Sequence, residues 1–339
     1  MEKHNEALLL LPKIFLDHDF EVFITDPPYA NYSSIPDLSI FTEYPQINAN
    51  NIHFGELTNQ WLLDRDMGIL PVNLVNHIKF TMIRFSIFKF APTIFRGLIY
   101  DNGTWLAKVL GETIFTITLD NYAALDMLSE ITSIDETELD CYNVITNDLT
   151  HDPFFLQAPD YVPVNRVTNM GEGPFANEDH YHANIASLIL LGKWFNFLKE
   201  NNVYDNTRII IASDHGRDLY SNFPDNIILP NNKSLQSYAA LLLVKDFNSN
   251  DFLSVNDSFM TVADIPLLAL DGIVENPVNP WTGKILLSDK ENGITLTTSE
   301  LWDHKKQSKY SLNIKPNEWL HVRENIFEIR NWTSVNNRN

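Results

Sequence analysis

A chain of 339 residues, 44% hydrophobic and 20% charged, can bury a large core and has an ordinary globular balance rather than a disordered one. Its 24 Lys and Arg against 44 Asp and Glu give a formal net charge of −20, which argues against a nucleic-acid-tracking surface, since such surfaces are built from Lys and Arg. The lone Cys141 excludes an intrachain disulfide and leaves the redox compartment open.

The opening MEKHNEALLLLPKIF is no signal peptide, because its apolar run is short, amphipathic and followed by Asp17, His18 and Asp19. Ala7, Leu8, Leu11, Ile14 and Phe15 recur at helical spacing and predict one buried helix face. FEVFITDPPY reads as a strand over residues 20–25, stopped by Asp26 and two prolines. Residues 31–60, rich in Asn, Pro and Tyr, read as loop, and residues 61–110 as mainly helical. The most membrane-like window, HIKFTMIRFSIFKFAPTIFRGLIY (residues 77–100), is interrupted by Lys79, Arg84, Lys89 and Arg96. It therefore holds no span of about 18 uncharged residues. It reads as helices packed on the core, with a basic-aromatic face resting on a membrane surface as the second reading. The chain as given is expected to be soluble, with no signal or transmembrane segment. ETIFTITLDN stays open between a strand and a strand-to-helix transition.

CYNVITNDLTHDPF predicts a short apolar strand over residues 142–146 that runs into Asp148, Thr150 and His151. Residues 157–178 read as a long irregular loop. HYHANIASLILLGKWFNFLKENN, from His180, carries the strongest helical pattern, with Ile185, Leu188, Leu191, Phe195 and Leu198 at three- and four-residue steps and a stop at Asn201 and Asn202. TRIIIASDHGRD, residues 207–218, reads as a buried strand that ends abruptly in Asp-His-Gly. SYAALLLVKDF reads as another buried strand, and FMTVADIPLLALDGI as a helix ending at Gly272. Strands alternating with helices, several of them apolar throughout, predict an α/β fold: a mostly parallel central sheet flanked by helices on both faces. The expected organisation is one domain over residues 1–339, with 286–339 an extension packed on it.

In open α/β sheets the site lies outside the carboxyl ends of the strands. Three predicted strands end there in polar groups: Thr25 and Asp26; Asp148, Thr150 and His151; Asp214, His215 and Gly216. Carboxylate oxygen and imidazole together suit a divalent ion such as Zn²⁺ or Mn²⁺, with Gly216 supplying freedom for a sharp exit. His180 and His182 lie at a helix N-terminus, which favours anions. Arg217 follows the Asp-His pair and is placed to contact an anionic substrate. Asp26 is a candidate to line the site.

LKENNVYDNTRIIIASDHG resembles the alkaline-phosphatase-like superfamily, in the branch of sulfatases, lipoteichoic acid synthases and phosphoglycerol or phosphoethanolamine transferases. VITNDLTHDPFF is similar to that family's strand presenting an active-site histidine before an aromatic-Pro turn. SYAALLLVKDF and DSFMTVADIPLLALDGI are similar to its late strand and the helix carrying an Asp-x-x-Pro turn. The resemblance covers roughly residues 1–285 and is most specific over 180–218. It implies an alkaline-phosphatase-like sandwich, N-terminally truncated, with Asp214 and His215 as the second pair of metal ligands and His151 contacting the substrate or its leaving group. The metal would be Mn, Zn, Mg or Ca, weakly bound because two ligands remain. The substrate would be an anionic lipid head group or a sulfated or phosphorylated glycan, at the extracytoplasmic face of the membrane, with the full-length form membrane-anchored.

The family's first acidic ligand and its Thr, Ser or modified Cys nucleophile precede the region matched by the opening helix and strand. Thr25, Ser33 and Ser34 fall in the wrong place in the family order, and Cys141 lacks the Cys/Ser-x-Pro-x-Arg setting. The chain therefore reads as a fragment of a longer enzyme with little turnover of its own. The alternatives are a non-catalytic binding module on the same fold, or a different metallohydrolase assembled from His151, His180, His182, Asp214 and His215.

Overall fold

The computed structural model describes residues 2–33, 36–52, 56–65, 74–100, 115–134, 139–152, 154–164, 167–218, 226–298 and 318–335. They form a mixed α/β structure of two compact units, Met1–Asn201 and Asn202–Asn339.

The first unit opens with helix α1 (Glu2–Leu16). Its buried residues are Leu9, Pro12, Ile14 and Phe15, while Ala7 is exposed. Strand β1 (Glu21–Thr25) then lies between β2 (Ile47–Asn50) and β3 (Cys141–Ile145), parallel to both. Val22 stands opposite Ile47 and Tyr142, and Ile24 opposite Ala49 and Val144. That face meets α1: the Phe15 ring stacks on Tyr142 at 4.2 Å, and Val22 and Ile24 are buried. The other face, with Phe23, Asn48, Cys141, Asn143 and Ile145, is exposed. β2 arises in a stretch that reads as loop. Asn48, Ala49 and Asn50 have little strand preference of their own, and pairing with β1 imposes it.

The long connection from β2 to β3 carries α2 (Glu56–Asp64), α3 (Leu74–Phe90), α4 (Thr93–Tyr100), α5 (Phe115–Asp126) and α6 (Leu128–Ile131). After β3 come a short antiparallel pair, β4 (Leu156–Gln157) and β5 (Val162–Pro163), and then α7 (Asp179–Glu200). ETIFTITLDN is helical from Phe115 onward. The helix runs on to Asp126 and is buried at Thr118, Leu119 and every position from Asn121 to Leu125, and packing on nearly all sides overrides the strand preference of Thr and Ile. Leu119, Tyr122 and Ala123 pack with Trp61 and Leu62 of α2 and with Ala183, Ala186 and Leu190 of α7. α7 stops as its sequence predicts, with Asn202 in the left-handed region at φ 58°.

The window of residues 77–100 departs from the expectation of helices packed on the core. Among the described side chains of α3 and α4, Met82, Phe85, Phe90, Ile94 and Leu98 are exposed, and only Arg84 and Ile99 are buried. Among the described residues no helix is long and apolar enough to cross a membrane.

In the second unit, β6 (Ile209–Ala212) pairs antiparallel with β7 (Leu242–Lys245), Ile209 opposite Lys245 and Ala212 opposite Leu242. The strands expected in a mostly parallel sheet thus form an antiparallel ribbon. They are also less buried than their composition suggests: Ile209 is buried, but Ala212 and Val244 are exposed. A two-stranded ribbon offers few neighbours to cover its faces. A short 3-10 turn (Val262–Asp264) leads into α8 (Ile265–Leu270), which ends at Gly272 with φ 69°, the stop its sequence predicts. β8 (Ile294–Leu296), β9 (Leu320–Val322) and β10 (Trp332–Ser334) form an antiparallel sheet in the order β10–β9–β8. Leu320, Val322 and Trp332 pack on Leu229 and Leu235, so the described part of 286–339 shares a core with the segment before β7.

One carboxylate ties three helices of the first unit together. Asp126, ending α5, accepts from Trp61 Nε1 and Arg65 Nε at 2.8 Å each and from Lys193 Nζ at 2.9 Å. Burial pushes its carboxyl up, but the bonds from Lys193 and Trp61 and the charges of Lys193 and Arg65 outweigh that and hold it below the ordinary 3.8. A depressed folded-state value contributes stability that is present above the ordinary carboxylate range and lost as pH falls through the folded value. Asp126→Asn should therefore cost about 2 kcal/mol at neutral pH. In urea titrations its difference from the wild type should shrink as the pH falls through the acid range. A difference that stays constant down to acid would refute this role.

Candidate functional site

The ladder of β6 and β7 continues one residue past Ala212. Ser213 N–H donates to the Leu241 carbonyl at 3.0 Å, and Ser213 Oγ accepts from Leu241 N–H at 2.8 Å. The chain then turns, and Asp214 and His215 project outward with side chains 88% and 69% exposed. Gly216 anchors the exit. A Cβ there would lie 2.0 Å from the Gln236 carbonyl oxygen and 2.5 Å from that of Ala239. Glycine is thus required by close backbone approach and not by the conformational freedom expected from the sequence, since its φ is not in the left-handed region. Asp218 accepts from Ser237 Oγ at 2.7 Å, a third tie beyond the tip.

Between these anchors the pair has a defined chemistry. His215 Nδ1 lies 2.7 Å from the Gly216 carbonyl oxygen, which can only accept, so Nδ1 carries the proton. In the neutral ring that leaves Nε2 with its lone pair, 3.6 Å from Asp214 Oδ2, while Asp214 Oδ1 accepts from the His215 backbone N–H at 2.9 Å. Two ligand atoms at about 2.1 Å from one ion in tetrahedral geometry stand about 3.4 Å apart. The observed separation fits a two-point grip on a divalent ion with little adjustment. Among the described residues no three His, Cys, Asp or Glu side chains group to hold a metal. Arg217, next to the pair, is half-buried.

The first unit holds the other four candidates. Asp26 sits at the carboxyl end of β1, 3% exposed, with Oδ1 accepting from Ile52 N–H at 3.0 Å. Its backbone is left-handed at φ 53°, and so are Tyr29, Asn31 and Tyr32 at 51°, 56° and 57°. Such a run of non-glycine residues is rare and costly, and this kind of strain clusters at functional sites. The sequence signal for it is DPPYANY, whose Asp and Asn tolerate that region best. His151 lies exposed in the turn after β3, with Nδ1 donating to the Asp152 carbonyl at 2.8 Å, which selects the same tautomer as in His215. His180 and His182 are buried at the start of α7. His182, 2% exposed, places Nδ1 3.1 Å from the Leu156 carbonyl and Nε2 3.0 Å from that of Ala176. His180 Nδ1 lies 3.9 Å from Glu178 Oε2, itself fully buried. Both nitrogens of His182 lie against backbone carbonyls and His180 Nδ1 is buried, so an anion meeting this helix end would not find these three nitrogens at the surface.

A cavity of about 560 Å³ in the second unit is lined by Phe259, Met260, Leu267, Leu268, Lys290 and Arg323, among others. Its central charges are paired, with Lys290 Nζ donating to Asp264 Oδ2 at 2.9 Å. Burial raises the Asp264 carboxyl, but bonds from Ser288, Lys290 and Thr261 more than offset it and hold it below its ordinary value. Asp264 also caps the 3-10 turn that leads into α8, accepting from Thr261 N–H at 2.7 Å. The turn there reads Asp264-Ile265-Pro266, one residue shorter than Asp-x-x-Pro.

Comparison with protein-family models, curated proteins and solved structures finds no match.

Two glycines give opposite expectations. Gly216→Ala should lower stability by about 2–3 kcal/mol through overpacking against backbone that cannot step aside. Gly192→Ala, inside α7 with open space where its Cβ would lie, should raise stability by up to about 1 kcal/mol. Urea midpoints of the two variants decide, and a neutral Gly216→Ala would show that the tip is not anchored as described.

Proposed function

We propose that this chain is a domain of the sulfatase and phosphoglycerol-transferase type, for metal-dependent sulfuryl- or phosphoryl-ester transfer on cell-envelope lipid head groups or glycans. The observation that carries the reading is the Asp214–His215 pair: an exposed carboxylate and an imidazole in a fixed tautomer, Oδ2 and Nε2 3.6 Å apart, at a strand tip anchored on both sides. The parallel sheet β2–β1–β3 with α1 against one face supports the α/β class that the reading implies, while the other face, expected to carry helices, is exposed. Asp214 and His215 would hold the ion (Mn, Zn, Mg or Ca), which when bound neutralises charge developing on the ester's oxygens.

The chain's own groups take defined parts. The Asp214 carboxylate presents Oδ2 outward while its Oδ1 is tied to the backbone. His215 is oriented by its bond to the Gly216 carbonyl, as ligating histidines are by the partner of the second nitrogen. The Arg217 guanidinium adds positive charge for an anionic ester. In the first unit, His151 carries its proton on Nδ1, which leaves Nε2 with its lone pair. No residue of this chain matches the family's nucleophile, so binding is expected to outrun turnover.

Isothermal titration of the purified chain with MnCl₂ or ZnCl₂ tests the reading. Weak binding is expected, reduced about tenfold or more by either Asp214→Ala or His215→Ala, with unchanged circular dichroism. Binding that ignores both substitutions, or none at all, would remove the metal pair from the reading. Hydrolysis of p-nitrophenyl phosphate or sulfate should stay near the uncatalysed rate. Steady turnover abolished by Asp214→Ala would show that the chain carries a complete site.

A further inference from the structure

The charge of residues 74–100 runs against that of the rest of the chain. The segment holds Lys79, Arg84, Lys89 and Arg96 and not one Asp or Glu, in a chain with 44 acidic residues and a net charge of −20. Its helices α3 and α4 meet at Ala91 and Pro92, where Arg96 staples the turn. Arg96 Nε donates to the Ala91 carbonyl at 3.2 Å and Nη2 to that of Lys89 at 3.3 Å, with the guanidinium 5.5 Å from the Phe88 ring centre. Around this turn the exposed side chains are large and apolar: Phe90 is 86% exposed, Ile94 80% and Leu98 71%. Lys79 and Lys89 are exposed beside them.

An exposed apolar patch of this extent calls for a cover. The absence of carboxylates and the presence of exposed cations among aromatic and aliphatic side chains select a cover that is apolar within and anionic at its surface. We infer that the α3–α4 hairpin docks on an anionic lipid bilayer, lying in the interface with Phe90, Ile94 and Leu98 inserted and Lys79 and Lys89 at the phosphates. At 1.5 Å per residue α3 (Leu74–Phe90) is about 25 Å long, short of the roughly 30 Å hydrocarbon core, so the hairpin lies on the membrane and does not cross it. A second copy joined through the same face is disfavoured, because a two-fold contact sets its cations against like cations with no carboxylate between them. The inference does not depend on the ester-transfer reading and uses none of its residues.

Vesicle flotation of the full chain tests it, with phosphatidylcholine vesicles against phosphatidylcholine mixed with phosphatidylglycerol. The chain should float with the mixed vesicles and stay behind with phosphatidylcholine alone. Lys79→Gln and Lys89→Gln should each lower the bound fraction about fivefold, and Phe90→Ser and Leu98→Ser each about tenfold. All four side chains are exposed, so urea midpoints should stay at the wild-type value and separate lost docking from lost folding. A Phe90→Trp variant keeps the apolar contact. It should float like the wild type and show added fluorescence quenching by bromine-labelled lipid. No flotation with either vesicle, or flotation unchanged in all four variants, overturns the inference. So does a lipid-free dimer, by light scattering, that Phe90→Ser and Leu98→Ser convert to monomer, which would make a second copy the cover.

Discussion

Strand β1 has a parallel neighbour on each edge, and a parallel neighbour is reached only by carrying the chain back from the end of one strand to the start of the next. That single constraint organises the first unit. The return from β1 to β2 carries two 3-10 turns, no α-helix among its described residues, and several left-handed residues. The return from β2 to β3 is long and contains α2 through α6, so the helical body is in effect one extended crossover. The order β2–β1–β3 also sets the carboxyl ends of β1 and β3 side by side, which is where Asp26 is buried and where the chain leaves toward His151.

Elsewhere the fold relies on a few polar contacts to fix positions that packing alone leaves loose. Asp126 takes donors from α2 and α7 at the end of α5. Asp264 does the same just before α8, joining the 3-10 turn there to Ser288 and Lys290. At the end of β6 the device is steric as well: Ser213 bonds Leu241 through both backbone and hydroxyl, and Gly216 lets two carbonyls approach. The Asp214–His215 pair is exposed, yet its frame is held on both sides.

Elements with strong local signals were legible in the sequence. β1 has a short run of Val, Phe, Ile and Thr with a Pro-Pro stop, and α7 has a long periodic face and an Asn stop, so both stand close to where their patterns put them. β2 was not, because Asn48, Ala49 and Asn50 become a strand only through their partner. The parallel-sheet expectation for residues 207–218 went astray because apolar composition does not reveal strand direction, and Ile209–Ala212 pairs antiparallel with β7. At the tip, the residue types of Asp214, His215 and Gly216 were readable, but the histidine's tautomer and the reason for the glycine depend on carbonyls of residues 216, 236 and 239. His180 and His182 show the converse. Their place at a helix start was readable, while their burial against residues 156 and 176–178 was not, since those contacts come from β4 and from the irregular segment before α7.

The open sheet face and the uncovered hairpin put weight on the acidic excess, which otherwise looks like a matter of composition. Phe23 and Ile145 face outward on the sheet, β3 lies at the edge of its described strands, and α3 and α4 expose phenylalanines, isoleucines and Leu98. Edges and apolar patches of this kind are where copies of a chain stick together. A charge of −20 makes two copies repel before such surfaces meet, so the acidity works as a colloidal safeguard. That safeguard fades as the solution approaches the isoelectric point near 4.7, leaving the chain most adhesive in mildly acidic solution.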